Sequence, residues 1–143
     1  MAKKHSLPVV PDKGEIVFCD FTPFAAPEMV KRRPCIVISP RMNSRPSICT
    51  IVPLSTTAPS PIEGYHCEIS LNPLLRAPYD NPKAWAKCDM LYTVSITRLD
   101  RPYRFDINSH RCYYKQILDP SEMKVLEKAV LCGLGIQPEY IYL

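Results

Sequence analysis

The chain predicts a mainly β fold of the α+β class: a small barrel or strongly curled sheet of short strands, closed by one helix near the C-terminus. Three observations carry this expectation. Sixteen prolines against four glycines in 143 residues break the chain too often for long helices and suit short strands joined by shaped loops. Between the prolines, runs rich in Val, Ile, Phe, Tyr and Cys recur at strand length. Only one segment, at 120–134, shows a helical period with end signals.

The length is that of a single domain with one core. Residues 1–13 are polar and proline-bearing and read as a flexible arm, leaving 14–143 as the domain. Residues 14–21 (GEIVFCDF) form the first strand, and 22–30 a loop holding Pro23, Pro27 and Glu28. Residues 35–39 form the second strand, 41–46 a polar turn with two arginines, and 47–54 the third strand, which passes into Ser55-Thr56-Thr57. In residues 65–71 apolar and polar side chains alternate, as in a strand with one wet face. Three prolines mark 72–82 as a loop. Residues 84–94 (AWAKCDMLYTV) read as one strand and 95–99 as a short turn. Strands at 101–105 and 113–118 flank a polar turn at Asn108-Ser109-His110. The helix starts with Asp119 as N-cap and Pro120 at its first position, with Glu122 in a capping-box position. Met123, Leu126, Val130 and Leu134 share one face, and Gly133 and Gly135 stop it.

The composition excludes several classes. A net charge of +4 favours polyanions without reaching the strength of a histone-like binder. No run approaches the ~18 apolar residues of a membrane span, so no membrane partner is expected. The seven cysteines (19, 35, 49, 67, 88, 112 and 132) are odd in number, contain no CxxC and mostly lie in apolar strand runs. They read as reduced core residues of a cytoplasmic protein rather than a disulfide or metal framework. His5, His66 and His110 are scattered with no HExxH spacing, so neither a metal nor any other cofactor is expected.

Chemistry concentrates in Lys31-Arg32-Arg33-Pro34. Pro34 biases Arg33 toward extended backbone and mounts a permanently charged, five-donor guanidinium at the start of a strand. If the second and third strands form a meander, Arg33 begins one and Ser55 ends the next, so both lie on one rim. A guanidinium and a hydroxyl there can hold a phosphodiester and stabilise charge developing on it. The opposing reading is a solvated cationic loop with an ordinary Ser/Thr turn. Tyr65, Trp85, Tyr92, Tyr103, Tyr113 and Tyr114 interleave with Lys87, Arg98, Arg101, Arg104, Arg111 and Lys115. Rings that stack bases beside cations that follow phosphates suit single-stranded nucleic acid; β-core aromatics with solvated charges are the alternative.

GEIVFCDF, KRRPCIVIS, TIVPLSTT, AKCDMLYTVSITRLDR and a final helix, in this order, resemble the PemK/MazF toxins of type II toxin–antitoxin modules over most of residues 14–135. The resemblance implies an SH3-like barrel of the CcdB/PemK type, usually homodimeric. It also implies a metal-independent endoribonuclease that cuts single-stranded RNA and is neutralised by a cognate antitoxin protein. The arginine before the proline is catalytic in that family, which points to Arg33, as phosphorane stabiliser or proton donor. The hydroxyl after the third strand points to Ser55, with Thr56 as a one-residue alternative. Lys31, Arg32, Arg41, Lys87, Asp89 and Tyr92 are the corresponding candidates for RNA binding. The chain departs from the pattern at Asp89-Met90-Leu91-Tyr92, where many members carry a Gln-plus-basic pair, and in its longer 72–82 insert. A rival reading is a non-catalytic CcdB-like toxin or binding module directed at a protein such as DNA gyrase.

Overall fold

The computed structural model describes Leu7 and residues 9–137. Nine strands, one 3-10 turn and one helix follow in order: β1 Ile16–Asp20, β2 Arg32–Val37, β3 Ile48–Ser55, β4 His66–Ser70, β5 Lys83–Lys87, β6 Tyr92–Ser95, the turn Ile96–Arg98, β7 Leu99–Asp100, β8 Tyr103–Phe105, β9 Arg111–Tyr113 and α1 Pro120–Gly133. Seven strands make one antiparallel sheet in the order β4-β5-β3-β2-β1-β7, with β6 also on β3. The β8–β9 hairpin forms a small sheet of its own. The hydrogen-bonded order runs open from β4 to β7, so the architecture is a curled, barrel-like sheet without a closing strand pair among the described residues.

Strands β1–β3 lack polar alternation because both of their faces are covered. Ile16, Phe18, Ile36, Val52 and Leu54 join one core with β4, β5 and α1. Val17, Cys19, Cys35, Val37, Cys49 and Ile51 join a second with Phe21, Met29, Val94 and Leu99. In β4 only Cys67 and Ile69 are buried, the wet-faced pattern its sequence predicts. Leu7 and Val10 are buried in the second core, so the described part of the predicted arm packs on the domain. Residues 1–6 and Pro8 lie outside the described residues.

Three element predictions need correction. The single strand expected at 84–94 is two, β5 and β6, separated by a turn in which Met90 N–H donates to the Lys87 carbonyl at 3.0 Å. The break falls where β3 changes partner: Ile48 to Ile51 pair with β6, and Leu54 and Ser55 pair with β5. Pro53, which has no N–H to offer, lies between the two pairings. The strand expected at 113–118 contributes only an isolated bridge between Ile117 and Glu15; the hairpin strand ends at Tyr113. The second strand starts at Arg32 rather than Cys35, so Arg33 lies inside it.

The helix matches its expected bounds to within a residue, with a different use of its N-terminal acid. Asp119 accepts from Ser121 N–H at 2.8 Å, and Pro120 opens the helix. Glu122 does not close a capping box: its carboxylate accepts from Ser70 N–H at 3.0 Å and ties the helix to β4. Met123, Leu126 and Ala129 form the buried face, whereas Leu134 is exposed. Ile136 N–H reaches the Leu131 carbonyl and Gly135 N–H that of Cys132, with Gly135 at φ +72°, the 6→1 and 5→2 bonds of a Schellman end. At Gly133 a Cβ would stand 2.8 Å from the Cys88 carbonyl oxygen, so a glycine there lets the helix end approach the β5–β6 turn.

Candidate nucleic-acid interface

The register of the central strands brings the expected pair together. Pairs Ile36↔Val52 and Cys35↔Pro53, continued by two residues, set Arg33 opposite Ser55 at one end of the sheet. Side-chain alternation puts Arg33 on the face of Cys35 and Val37, and Ser55 on the face of Cys49 and Ile51, which is the same face. Arg33 is half-buried. Its Nε donates to the Val30 carbonyl at 3.0 Å, which fixes the root of the guanidinium. The terminal nitrogens have no acceptor among the described residues, so the fork keeps donors for a ligand.

Ser55 is 8% exposed and its Oγ accepts from Thr57 N–H at 3.2 Å. That turn holds the hydroxyl at the strand end, while Thr56 and Thr57 are exposed beside it. Ser55 pairs with Trp85, a half-buried ring that sequence reasoning left among the general aromatics. The run 84–94 read as one strand hid it; the split at the β5–β6 turn is what sets Trp85 next to Ser55. Lys83, Trp85 and Lys87 alternate with buried Ala84 and Ala86, so two cations flank the ring on the face that carries Ser55.

The other candidates separate into different roles. Arg32 faces the opposite side: its Nη2 donates to Asp100 Oδ1 at 2.7 Å, its guanidinium lies 4.2 Å from the Phe18 ring centroid, and its carbonyl accepts from the Tyr79 hydroxyl at 2.6 Å. Lys31 is exposed just before β2, with φ +68°. Arg41 is not on this rim. It follows the far end of β2 and pairs with Asp12 at 2.8 Å, because a meander sends the β2–β3 turn to the end opposite Arg33. Asp89 is exposed on the β5–β6 turn beside the helix end. Tyr92 packs against Phe21 and Phe24, and its hydroxyl accepts from Met29 N–H at 2.9 Å; it anchors the β1–β2 loop that carries the chain into the rim.

The thiols nearby are poor nucleophiles. Burial raises Cys35 well above the usual thiol range, pushes Cys49 up to about 11 and Cys88 to about 12, so each is protonated at neutral pH. Among the described residues no three His, Cys, Asp or Glu side chains gather as a metal-binding group. What the rim offers is a guanidinium, hydroxyls, lysines and an aromatic ring, a set suited to a phosphodiester and its base.

Residues 12–131 match the family described as the PemK-like, MazF-like toxin of type II toxin–antitoxin system. The chain belongs to this family. It is 31% identical to the Escherichia coli K12 protein YifN over 87% of this chain and 92% of that one. It is also 36% identical to the E. coli K12 endoribonuclease toxin MazF, over 44% of this chain and 54% of MazF. Among solved structures, a mycobacterial endoribonuclease in complex with its cognate antitoxin superposes with a TM-score of 0.61 at 16% identity, covering 90% of this chain and 98% of that one. MazF from Deinococcus radiodurans gives 0.57 at 21% identity, covering 89% and 98%. At these identities the structural likeness concerns the fold, a small MazF-type sheet with a C-terminal helix.

Proposed function

We propose that this MazF-like toxin is a sequence-selective, metal-independent endoribonuclease that cleaves single-stranded RNA. The observation that carries the reading is the Arg33–Ser55 register, with the terminal nitrogens of Arg33 uncommitted among the described residues, on the face that also bears Trp85 and Lys87. The substrate's own 2′-oxygen attacks the adjacent phosphorus and the bond to the 5′-oxygen breaks. The 2′-OH proton is lost to solvent and the leaving 5′-oxygen gains one, giving a 2′,3′-cyclic phosphate and a 5′-OH. Arg33 supports the charge that builds on the non-bridging oxygens in the pentacoordinate state. It acts there as a fixed cation rather than a proton donor, because a guanidinium keeps its proton in proteins. Ser55, held by its turn, orients the phosphate, and exposed Thr56 contacts the neighbouring backbone.

Lys31 and Lys87 follow the phosphates, Trp85 stacks a base, and Asp89 lies where the strand leaves the rim. Homodimerisation and inhibition by an acidic antitoxin that occupies the same cationic rim complete the reading, with the cytoplasm as the site of action. Incubating the protein with mixed-sequence single-stranded RNA in excess EDTA tests it. Cyclic-phosphate ends that vanish in Arg33→Ala are expected. Growth arrest on expression without cleavage of any RNA would overturn the enzymatic reading in favour of a protein-directed toxin.

A further inference from the structure

Arg33 occupies one face of β2, and its neighbour Arg32 opens onto the other. There a cleft of about 260 Å³ is lined by Phe18, Arg32, Arg76, Tyr79, Pro102 and Tyr103, with Ala77 and Pro78 at its edge. Its walls come from the sheet, the 72–82 insert and the start of the β8–β9 hairpin. Two features define its chemistry. First, the Arg32 charge is balanced by Asp100 at 2.7 Å, so Arg76 is the cation of the cleft without a carboxylate partner among the described residues. Second, the Arg76 guanidinium lies over aromatic rings, 5.1 Å from the Tyr103 centroid and 4.3 Å from that of Phe105, while Arg111 covers Tyr103 at 4.6 Å.

A small cleft with apolar and aromatic walls, one planar cation and one neutralised ion pair suits a flat heterocycle better than a string of carboxylates. Its volume lies just below the ~300 Å³ at which ligand pockets usually begin, which fits one nucleobase and not two. Arg32 and Arg33 are consecutive, so their Cα atoms are about 3.8 Å apart. Their side chains point to opposite faces, so a strand whose scissile phosphate sits at Arg33 reaches the cleft by rounding the end of β2, where Lys31 is exposed. We infer that the cleft is a base-selecting subsite for a nucleotide flanking the cleaved phosphate. This rests on the ribonuclease reading above. Arg76, backed by Tyr103 and Phe105, stacks its cleft-side face on the base, and Lys31 meets a linking phosphate.

The test uses the full chain and two readouts. Cut sites in a randomised RNA pool report base preference position by position, and fluorescence anisotropy with a 2′-O-methyl oligonucleotide pool reports binding without cleavage. Arg76→Ala and Tyr103→Leu are expected to flatten base preference at one position flanking the cut and to weaken binding about tenfold, the scale of losing one stacked base. Arg76→Lys keeps the charge but loses the planar face, and should flatten preference at that position with a smaller loss of binding. Unchanged preference and affinity in folded variants, with the wild type still cutting, overturns the subsite and leaves the ribonuclease intact. So does an affinity for polyglutamate that Arg76→Ala abolishes while RNA preference persists, since the cleft would then serve an acidic peptide. A wild type that neither binds nor cuts RNA overturns the parent reading instead.

Discussion

At one end of the sheet, cations are neutralised. Arg101 Nε donates to the fully buried Glu15 at 2.6 Å, Arg41 pairs with Asp12 at 2.8 Å, and Lys115 pairs with the same Asp12 carboxylate. At the other end, Arg33 spends one nitrogen on a backbone carbonyl, and its terminal nitrogens have no acceptor among the described residues. The residue types are the same; the partners differ. Arg101, Arg41 and Lys115 are matched to carboxylates, whereas Arg33 is anchored by a neutral acceptor that fixes its root without cancelling its charge. Arg32, on the same strand as Arg33, belongs with the first group because Asp100 takes its charge.

Breaking the fastening end should show the largest effect. Arg101→Ala leaves a buried Glu15 carboxylate without its counter-ion, and a loss of about 3–5 kcal/mol in urea unfolding is expected. A loss below 1 kcal/mol would show that the ion pair is not structural. Arg33→Ala should leave unfolding nearly unchanged while lowering RNA cleavage by roughly 10²–10³-fold, the scale of removing a fixed donor from a developing oxyanion. Arg41→Ala is the matched control. It should cost about 0–1 kcal/mol with cleavage intact, and equal activity losses in the two variants would erase the distinction between the ends.

Smaller effects follow from titration. A buried thiol with a raised pKa holds its proton in the folded state after the unfolded chain has lost it. Stability should therefore fall as pH rises from about 9 toward the value of about 12 for Cys88. A Cys88→Ala variant should show a shallower alkaline fall; the same slope would remove Cys88 as its cause. The hydrogen bond from Lys115 holds the Asp12 carboxyl below its ordinary 3.8, and that from Ser121 does the same for Asp119. The stability these groups add is present above that value and is lost as pH falls through their lower folded pKa values. Asp12→Asn and Asp119→Asn should flatten the acid limb, read as melting temperature against pH. Thiol labelling gives the mildest test: Cys112 and Cys132 are exposed and the other five buried, so a native sample should label at two positions and a denatured one at seven.

Much of the fold was legible because its signals are local. Proline punctuation and β-rich runs mark the strands, Asp119-Pro120 marks the helix start, and Gly135 marks its end. Failures fell where a local signal had to compete with a distant partner. Glu122 fits a capping box by spacing, but the Ser70 N–H needed an acceptor and took its carboxylate. Residues 84–94 have the composition of one long strand, yet β3 presents two successive edges on either side of Pro53, and the run divides to pair with both. Tyr92, read as a base-stacking ring, is drawn into the aromatic group that holds the β1–β2 loop.

The candidate site divides the same way. Sequence alone determined that a guanidinium would stand rigidly at the head of one strand and a hydroxyl at the tail of the next, since proline and chain order dictate both. Tertiary structure decided which arginine keeps its charge available, because Asp100 and Asp12 come from segments far away along the chain. It also decided that Trp85 stands beside Ser55 and that Arg76 and Tyr103 enclose a cleft behind the rim, through register and a hairpin that leave no mark in local composition. Spacing along a chain specifies backbone direction and face; only packing specifies which charges meet.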